Sequence, residues 1–230
     1  MASLVWSVVC LLAVVVIPMA VIVGLIGRHL RSASVRGLRG ERMVARALRR
    51  SLDPEKYTIL HDLYLPATGE MNNGTTQIDH LVVSQFGLFC IETKNLSGAI
   101  YGREREAVWT QKVGRQTYRF QNPLRQNYLH ASALASFLRL SPSHIHSVVV
   151  FAGTAVLKTP MPPNVVRGGA ACVQYIKQFS EQALPPNQAE SICLALTDHQ
   201  TSTSPDVRRA HVAALKRRHE APREATRTEL

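Results

Sequence analysis

Cysteine is scarce in this chain, and the motifs of several enzyme classes are missing. Of four cysteines in 230 residues, Cys10 lies in an apolar run, and Cys90, Cys172 and Cys193 match no zinc-site or disulfide spacing. They are expected to be small apolar side chains in a reducing compartment. The sequence also lacks a glycine-rich phosphate loop and a serine nucleophile elbow, which argues against P-loop nucleotidases and α/β-hydrolases.

Acidic residues are also few, and the excess positive charge is unevenly distributed. The formal net charge is +11. Residues 28–50 hold eight arginines and one glutamate, residues 205–230 carry a net charge of +3, and the rest of the chain carries +1. The central part is therefore nearly neutral. The arginine-rich segment has two interpretations, which are contact with anionic lipid near Arg28 to Arg50 and attraction to nucleic acid.

One long apolar run precedes this basic segment. Residues from Ser7 to Ile26 are almost wholly apolar and uncharged, a length that suffices to span a bilayer. A retained transmembrane anchor is favoured over a cleaved signal peptide, because no Lys or Arg precedes the run and no small-x-small cleavage site follows it. By the positive-inside rule, the arginines place the remainder of the chain in the cytoplasm. The expected localisation is the cell membrane, with a single span.

The first segment after the run has the periodicity of an amphipathic helix. Between residues 38 and 52, Val44, Ala45, Leu48 and Leu52 form an apolar stripe, with arginines on the other side. Glu41 falls on the apolar side. It either interacts with the N-terminal helix dipole or reaches a group of carboxylates further along the chain.

The later segments predict a mixed α/β fold. Asn122 and Pro123 have the signature of a helix start, since asparagine caps and proline fits the first turn. The pattern as a whole predicts strands near 57–65, 77–84, 88–94, 98–102, 109 and 147–151, and helices near 122–140, 173–179 and 187–196. Helices interspersed with strands in this order favour one mixed sheet covered by helices.

The segment from Gln77 to Lys94 is the most informative, because it has the signature of a β-hairpin. Two runs rich in β-branched and aromatic residues flank a turn that contains Gly87. A turn centred between residues 85 and 86 places Asp79 opposite Glu92, unless a bulge shifts the register by one. Lys94 lies two residues beyond Glu92 and so shares its face of the strand.

Two carboxylates and an ammonium group therefore converge on an otherwise apolar hairpin. Such carboxylates repel each other, and a divalent cation such as Mg²⁺ relieves the repulsion while keeping waters for a substrate phosphate. The cation can activate water and stabilise charge on phosphate oxygens, and Lys94 adds a further positive charge. The alternative is a surface salt bridge on an edge hairpin. The hairpin alone leaves both interpretations open.

A wider set of motifs resembles a known family. The set comprises Gly37 to Glu41, Gln77 to His80, Glu92 to Lys94 with Gly98, then Trp109, and finally Asn122 to Asn127. In this order and spacing, it is similar to the nuclease-related domain (NERD) family of the PD-(D/E)xK, restriction-endonuclease-like superfamily. The resemblance covers roughly residues 35–155 and implies a restriction-endonuclease-like mixed β-sheet flanked by helices.

The resemblance implies a role for each matching residue. Asp79 and Glu92 would bind the metal with the main-chain carbonyl of Thr93, Lys94 would be the catalytic lysine, and Glu41 would complete the acidic cluster. Gln77 and Gln126 would contact water, phosphate or substrate. Gln77 shares the Asp79 face by strand alternation. Capping and surface solvation remain the alternative for both glutamines. The implied cofactor is Mg²⁺, with Mn²⁺ as a substitute.

These observations predict five regions and a main function. The regions are a transmembrane anchor (1–27), a basic linker (28–37), the nuclease-like domain (38–155), a helical extension (156–200) and a polar basic tail (201–230). The expected function is a membrane-anchored, cytoplasm-facing, metal-dependent nuclease that hydrolyses phosphodiester bonds in DNA. A non-catalytic module that binds nucleic acid or a partner at the membrane is the alternative, and the near-neutral central part favours it.

Overall fold

The computed structural model describes residues 35–67 and 74–203, together with positions 19, 206, 207 and 213. Internal contacts divide the chain into two units, residues 1–39 and residues 40–230. The second unit contains the β-sheets and all residues of the expected site. The expected transmembrane run, residues 7–26, lies outside the described residues except for Met19. Within the described part, no helix is long and apolar enough to cross a membrane.

The described residues form four α-helices and nine strands. Helix α1 covers residues 35–51. The strands before the second helix are β1 (Tyr57–Pro66), β2 (Thr75–Ser84), β3 (Gly87–Lys94), β4 (Ala99–Tyr101), β5 (Val108–Val113) and β6 (Gln116–Gln121). The remaining elements are α2 (Pro123–Leu138), a 3-10 turn (Pro142–His144), β7 (Ile145–Phe151), β8 (Val156–Leu157), β9 (Val165–Arg167), α3 (Gly168–Lys177) and α4 (Pro186–Ser202).

The strands form two mixed sheets. The main sheet has the order β1-β2-β3-β7-β9, antiparallel from β1 to β3 and parallel from β3 to β9. The second sheet has the order β6-β5-β4-β8. The predicted α/β class is confirmed, but the expectation of one sheet is wrong. Strand β3 is already flanked by β2 and β7, so the short strands after it pair with one another.

The central hairpin has the predicted register. Ser84 pairs with Gly87, and His80 pairs with Ile91. Gly87 has a φ of +121°, a backbone conformation that residues other than glycine rarely adopt. The hairpin is not at a sheet edge, because β1 and β7 flank it. An exposed edge salt bridge is therefore excluded as the explanation of its charged residues.

Helices cover both faces of the main sheet. On one face, Val44 and Leu48 of α1 and Ile176 of α3 pack in one core. On the other face, Leu134 of α2 and Leu196 of α4 pack in a second core. A third core lies under the second sheet and includes Trp109. The helices and strands after residue 155 therefore complete the same cores as the strands before it. The five expected regions and their boundaries stay a prediction.

Candidate active site

The first two strands are distorted where the site is formed. Their register is continuous from His61↔His80 to Leu63↔Ile78, but Asp62 and Asp79, which lie between these pairs, are unpaired. Asp62 has a φ of +56°. Leu81 and Ile78 belong to the same core, although residues three apart in a regular strand face opposite sides. In both strands, the alternation of side chains between the two faces of the sheet is therefore interrupted at the aspartate.

This distortion brings Asp79 to the backbone of β3. Ladder pairing between β2 and β3 ends at His80↔Ile91, and beyond it the Thr93 N–H donates to Asp79 Oδ2 at 2.8 Å. The N–H and C=O of one strand residue point to the same neighbour. The Thr93 carbonyl is thus directed toward the Asp79 side of the strand.

Glu92 is held by two basic groups. Glu92 is only 3% exposed. Its Oε1 accepts a hydrogen bond from Lys94 Nζ at 2.7 Å, and its Oε2 lies 3.3 Å from His130 Nε2. Buried carboxylates are rare unless paired in this way. The arrangement fixes Glu92 and Lys94 on the α2 face of the sheet, as the alternation along β3 predicted.

Helix α2 supplies the partners of this pair. Lys94 Nζ donates to Gln126 Oε1 at 2.9 Å, and Gln126 Nε2 lies 3.3 Å from His130 Nε2. Residues four apart on a helix share a face, so Gln126 and His130 meet the same strand. Thr76 Oγ1 is hydrogen-bonded to His130 Nδ1 at 2.6 Å. Side chains from β2, β3 and α2 thus form one connected network.

Two asparagines fix α2 over the sheet. Asn122 Oδ1 accepts from the Leu124 N–H at 2.9 Å, which confirms the predicted cap. Asn127 Nδ2 donates to the carbonyls of Cys90 and Val148 at 2.8 Å and 3.1 Å, which lie on neighbouring strands of the main sheet. Asn127 is fully buried. It therefore joins α2 to both strands directly below Gln126.

Glu41 approaches the site from the other face. A Cβ on Gly40 would lie 2.6 Å from Asn95 Cβ, so the absence of a side chain at Gly40 allows α1 to pack close to the end of β3. Burial and the charges of Asp62 and Glu92 raise the pKa of Glu41. Gln77 donates to Asp62 Oδ1 at 2.6 Å, and its expected role toward water or phosphate stays a prediction.

The carboxyl groups at the site have opposite pKa shifts. Burial and the charge of Glu92 raise the pKa of Asp79 well above its ordinary value. Burial opposes ionisation of Glu92 as well, but the charge of Lys94 and the hydrogen bond from His130 outweigh it and lower the pKa of Glu92. Burial would lower the pKa of Lys94, yet the attraction of Glu92 raises it. The negative charge of Glu92 is thus compensated by neighbouring basic groups, whereas a negative charge on Asp79 is repelled by Glu92.

This electrostatic imbalance fits a divalent cation. In the described part of the chain, no three Asp, Glu, His or Cys side chains form a ready metal cluster. The available oxygen donors are the carboxylates of Asp79 and Glu92 and the carbonyl of Thr93, with water to complete the set. Mg²⁺ accepts such a set, since it uses few carboxylates and retains several waters. A cation there would also relieve the repulsion that raises the pKa of Asp79.

Three residues of the site were missed in the sequence. His130 follows Gln126 by one helical turn, which is a spacing that could have indicated it. Asp62 and Thr76 had no such signal, because their positions depend on the register of β1 against β2 and on the face change. His130 contacts Glu92 and Asp62 contacts Gln77, both of which the sequence had singled out, and Thr76 contacts His130.

The match to a known family is decisive here. The family model for the nuclease-related domain, NERD, matches residues 36–152, about half of the chain and the whole segment from α1 to β7. The chain belongs to the NERD family. Membership indicates a nuclease-like function and confirms the resemblance noted from the motifs. The NERD segment contains Glu41, Asp79, Glu92, Lys94 and the α2 residues described above.

One curated protein is similar to part of the chain. An uncharacterized protein from Bacillus anthracis is 44% identical over 99 residues, which cover 43% of this chain and 45% of the relative. The chain therefore spans less than half of that protein's length. No solved structure matches the chain. The NERD domain is what these comparisons establish.

Next to this network, the buried His80 and the half-buried His61 form a pair that should make the stability of the NERD domain sensitive to acid. His61 Nδ1 and His80 Nδ1 lie 2.8 Å apart, and among the described residues their buried Nε2 atoms have no hydrogen-bond partner. Burial and the neighbouring His61 lower the pKa of His80 from 6.5 to about 3. In the unfolded chain, His80 takes up its proton near its ordinary pKa.

We expect the unfolding free energy to fall as the pH drops below about 6.5, because the unfolded state binds the proton first. The loss between pH 6.5 and about 4.5 should reach roughly 2–3 kcal/mol from His80, at about 1.4 kcal/mol per pH unit. Urea unfolding at several pH values, with EDTA present, measures it. A folded His80→Phe variant should have a flatter profile, and an equally steep profile would contradict this origin.

Proposed function

We propose that this protein is a Mg²⁺-dependent nuclease that hydrolyses phosphodiester bonds in DNA. The observation that supports this most is the set formed by the buried Glu92 and the partly exposed Asp79 and Lys94, where the pairing of β2 with β3 ends. Asp79 accepts from the Thr93 amide at 2.8 Å, and Lys94 contacts Glu92 at 2.7 Å. Family membership supports the same chemistry.

Asp79, Glu92 and the Thr93 carbonyl would hold the cation, which supplies positive charge to phosphate oxygens and lowers the pKa of a bound water. Glu92 holds the Lys94 ammonium in place, and Gln126 accepts a second of its hydrogen bonds. The ammonium has three donors, so one remains for the attacking water or a phosphate oxygen. Lys94 thereby stabilises the charge that develops as the P–O bond breaks.

Four further side chains support this set. The hydrogen bond from Gln77 restrains Asp62, which neighbours Asp79 across the distorted strands. His130 contacts the second oxygen of Glu92 and fixes the orientation of that carboxylate. Glu41 would add negative charge on the α1 side, where it can bind a water of the cation. Gln126 would orient substrate through the Lys94 contact.

The location of the activity is part of the same proposal. The apolar run at residues 7–26 and the arginines after it favour a single-span anchor with the NERD domain in the cytoplasm. DNA bound at the membrane surface would then be the substrate. Fractionation of cells that express the full chain tests this point, and recovery of the protein with soluble proteins would contradict the anchor.

Cleavage of labelled DNA by the full-length protein in neutral detergent tests the nuclease proposal. We expect cleavage with Mg²⁺ or Mn²⁺ and none with EDTA. Asp79→Asn should raise the Mg²⁺ concentration needed for half-maximal rate by about 10- to 100-fold, as for other changes around a metal site. Asp198→Asn, on the exposed surface of α4, is the matched control and should behave like the parent.

Two outcomes would contradict the proposal. Cleavage that is unchanged in folded Asp79→Asn and Lys94→Ala variants would remove the site from the reaction. Salt-dependent DNA binding without cleavage in any divalent metal would instead favour a non-catalytic nucleic-acid-binding module, which the near-neutral central part of the sequence allows.

A further inference from the structure

The exposed face of α1 carries a continuous row of positive charge. Arg42, Arg46 and Arg49 recur at the four- and three-residue spacing that places side chains on one helix face, and Arg50 lies beside them. All four are exposed. Within the described residues, none of these four arginines, here called the arginine row, makes an ion pair with a carboxylate. The row runs over nine residues, from Arg42 to Arg50, or about 12 Å along the helix axis.

One end of the arginine row is at the candidate active site. Arg42 follows Gly40 by two residues, and Gly40 packs against Asn95, the residue next to Lys94 at the end of β3. The other end opens onto a cavity of about 610 Å³, which is within the usual range for small-ligand sites. Ser84, at the cavity end of β2, is five residues along the strand from Asp79, so this end lies about 17 Å from the carboxylates.

The cavity combines positive charge with aromatic rings. Arg50, Lys56 and Lys177 line it together with Tyr57, Phe86 and Phe179. Lys56 has a partner in Asp53 at 3.9 Å, whereas Lys177 is exposed and, in the described part, forms no ion pair. The rings of Tyr57 and Phe86 lie 5.9 Å apart at 45°. Phe86 and Phe179 are half-buried, so each ring retains accessible area inside the cavity.

We propose that the arginine row and this cavity form a binding track for a single strand of nucleic acid that leads to the carboxylate site. The proposal rests on the nuclease function proposed above and names the form of its substrate. Phosphates would contact the arginines, and an unpaired base would stack in the cavity. Proteins that bind single strands combine a basic groove with aromatic platforms in this way. A path of about 17 Å accommodates roughly five stacked nucleotides.

The rings favour nucleic acid over a lipid surface as the occupant. A membrane would bind the arginines by charge alone, and it would not require a concave site with half-buried rings 17 Å or so from a set of carboxylates. Unpaired bases use both features, because each base has an aromatic face and a neighbouring phosphate. The track also supplies positive charge that the nearly neutral remainder of the chain lacks, because the arginines are concentrated along one helix.

Binding of oligothymidylates to the full-length protein in neutral detergent, with EDTA present, tests the track separately from cleavage. Fluorescence anisotropy should show affinity rising from about three to about six nucleotides and then levelling off. The double variant Arg46→Ala, Arg50→Ala should weaken binding about tenfold and lower the salt slope by about 1.4, at about 0.7 per lost phosphate contact. The control double variant Arg115→Ala, Arg119→Ala, also exposed, should match the parent.

A separate measurement tests whether a base stacks in the cavity. An oligonucleotide of the same length with abasic sites keeps its phosphates but loses its rings, and it should bind at least about fivefold more weakly. Equal affinity for the abasic strand, or an unchanged salt slope in the Arg46 and Arg50 double variant, would overturn the proposal.

A lipid role for the arginine row would also overturn it. In that case the same double variant would lose binding to vesicles that contain phosphatidylserine while keeping its affinity for oligonucleotides. Because no metal is present in the binding assay, failure of the track is distinguishable from failure of the nuclease proposal. Binding of single strands as expected, without cleavage, would support the track and contradict the nuclease proposal.

Discussion

Replacing Lys94 with alanine is expected to lower kcat for DNA cleavage by about 100- to 1,000-fold, the usual effect of removing one donor that stabilises transition-state charge. The Mg²⁺ concentration for half-maximal rate should change little, because Asp79 and Glu92 remain. Lys94 contacts Glu92 at 2.7 Å and Gln126 at 2.9 Å, so its ammonium group is held beside the carboxylates of the proposed metal site. Single-turnover cleavage at saturating Mg²⁺ measures the effect.

The matched control for Lys94 is Lys56. Its side chain is 58% exposed and its ion pair with Asp53 is long, at 3.9 Å, so Lys56→Ala should cleave like the parent under saturating DNA. Lys94→Arg separates charge from geometry, because the planar guanidinium does not replace a compact ammonium at a confined site. If Lys94→Ala raised the Mg²⁺ requirement but left kcat intact, the lysine would serve metal binding, and its catalytic role would be refuted.

Replacing Asn127 with alanine should destabilise the fold by about 2–4 kcal/mol, because buried groups that lose hydrogen-bond partners each cost about 1–3 kcal/mol. The Asn127 Nδ2 group donates hydrogen bonds to the carbonyls of Cys90 and Val148 and to the hydroxyl of Ser147. Its Oδ1 accepts a hydrogen bond from Cys90 Sγ. Urea unfolding measures the loss. Activity at low temperature should also fall, since α2 carries Gln126 and His130.

Asn187→Ala is the control for this substitution. Asn187 lies at the start of α4, is exposed, and its side chain accepts a hydrogen bond from the adjacent Gln188 N–H. Its loss should cost less than about 1 kcal/mol, at the low end for a residue near a helix start. An Asn127→Ala variant as stable as Asn187→Ala would show that α2 is held by its apolar contacts alone.

Local patterns in the sequence predicted the elements that carry the site. The hairpin register followed from two β-rich runs around Gly87, and the structure pairs Ser84 with Gly87 as expected. The start of α2 followed from Asn122 and Pro123, and the cap is present. These features depend on residues close together in the chain, so short-range rules suffice for them.

Long-range packing was beyond those rules. Nothing in the local pattern of β2 indicated that both strands change face at Asp62 and Asp79, or that Gln77 would contact Asp62. The second sheet was also missed, because its strands are short and pair across a crossover. Neither a face change nor a crossover leaves a periodic signal in the sequence.

The amino-acid sequence by itself determined the family, the α/β class and the pairing that brings β2 and β3 together, since motif order and hairpin register are local properties. Only the tertiary structure decided which partners the charged groups have. Burial of Glu92 against Lys94 and His130, and the Asp79 contact with the Thr93 amide, arise where two strands separate and a distant helix packs over them. Such contacts depend on distances in space, which spacing along the chain does not encode.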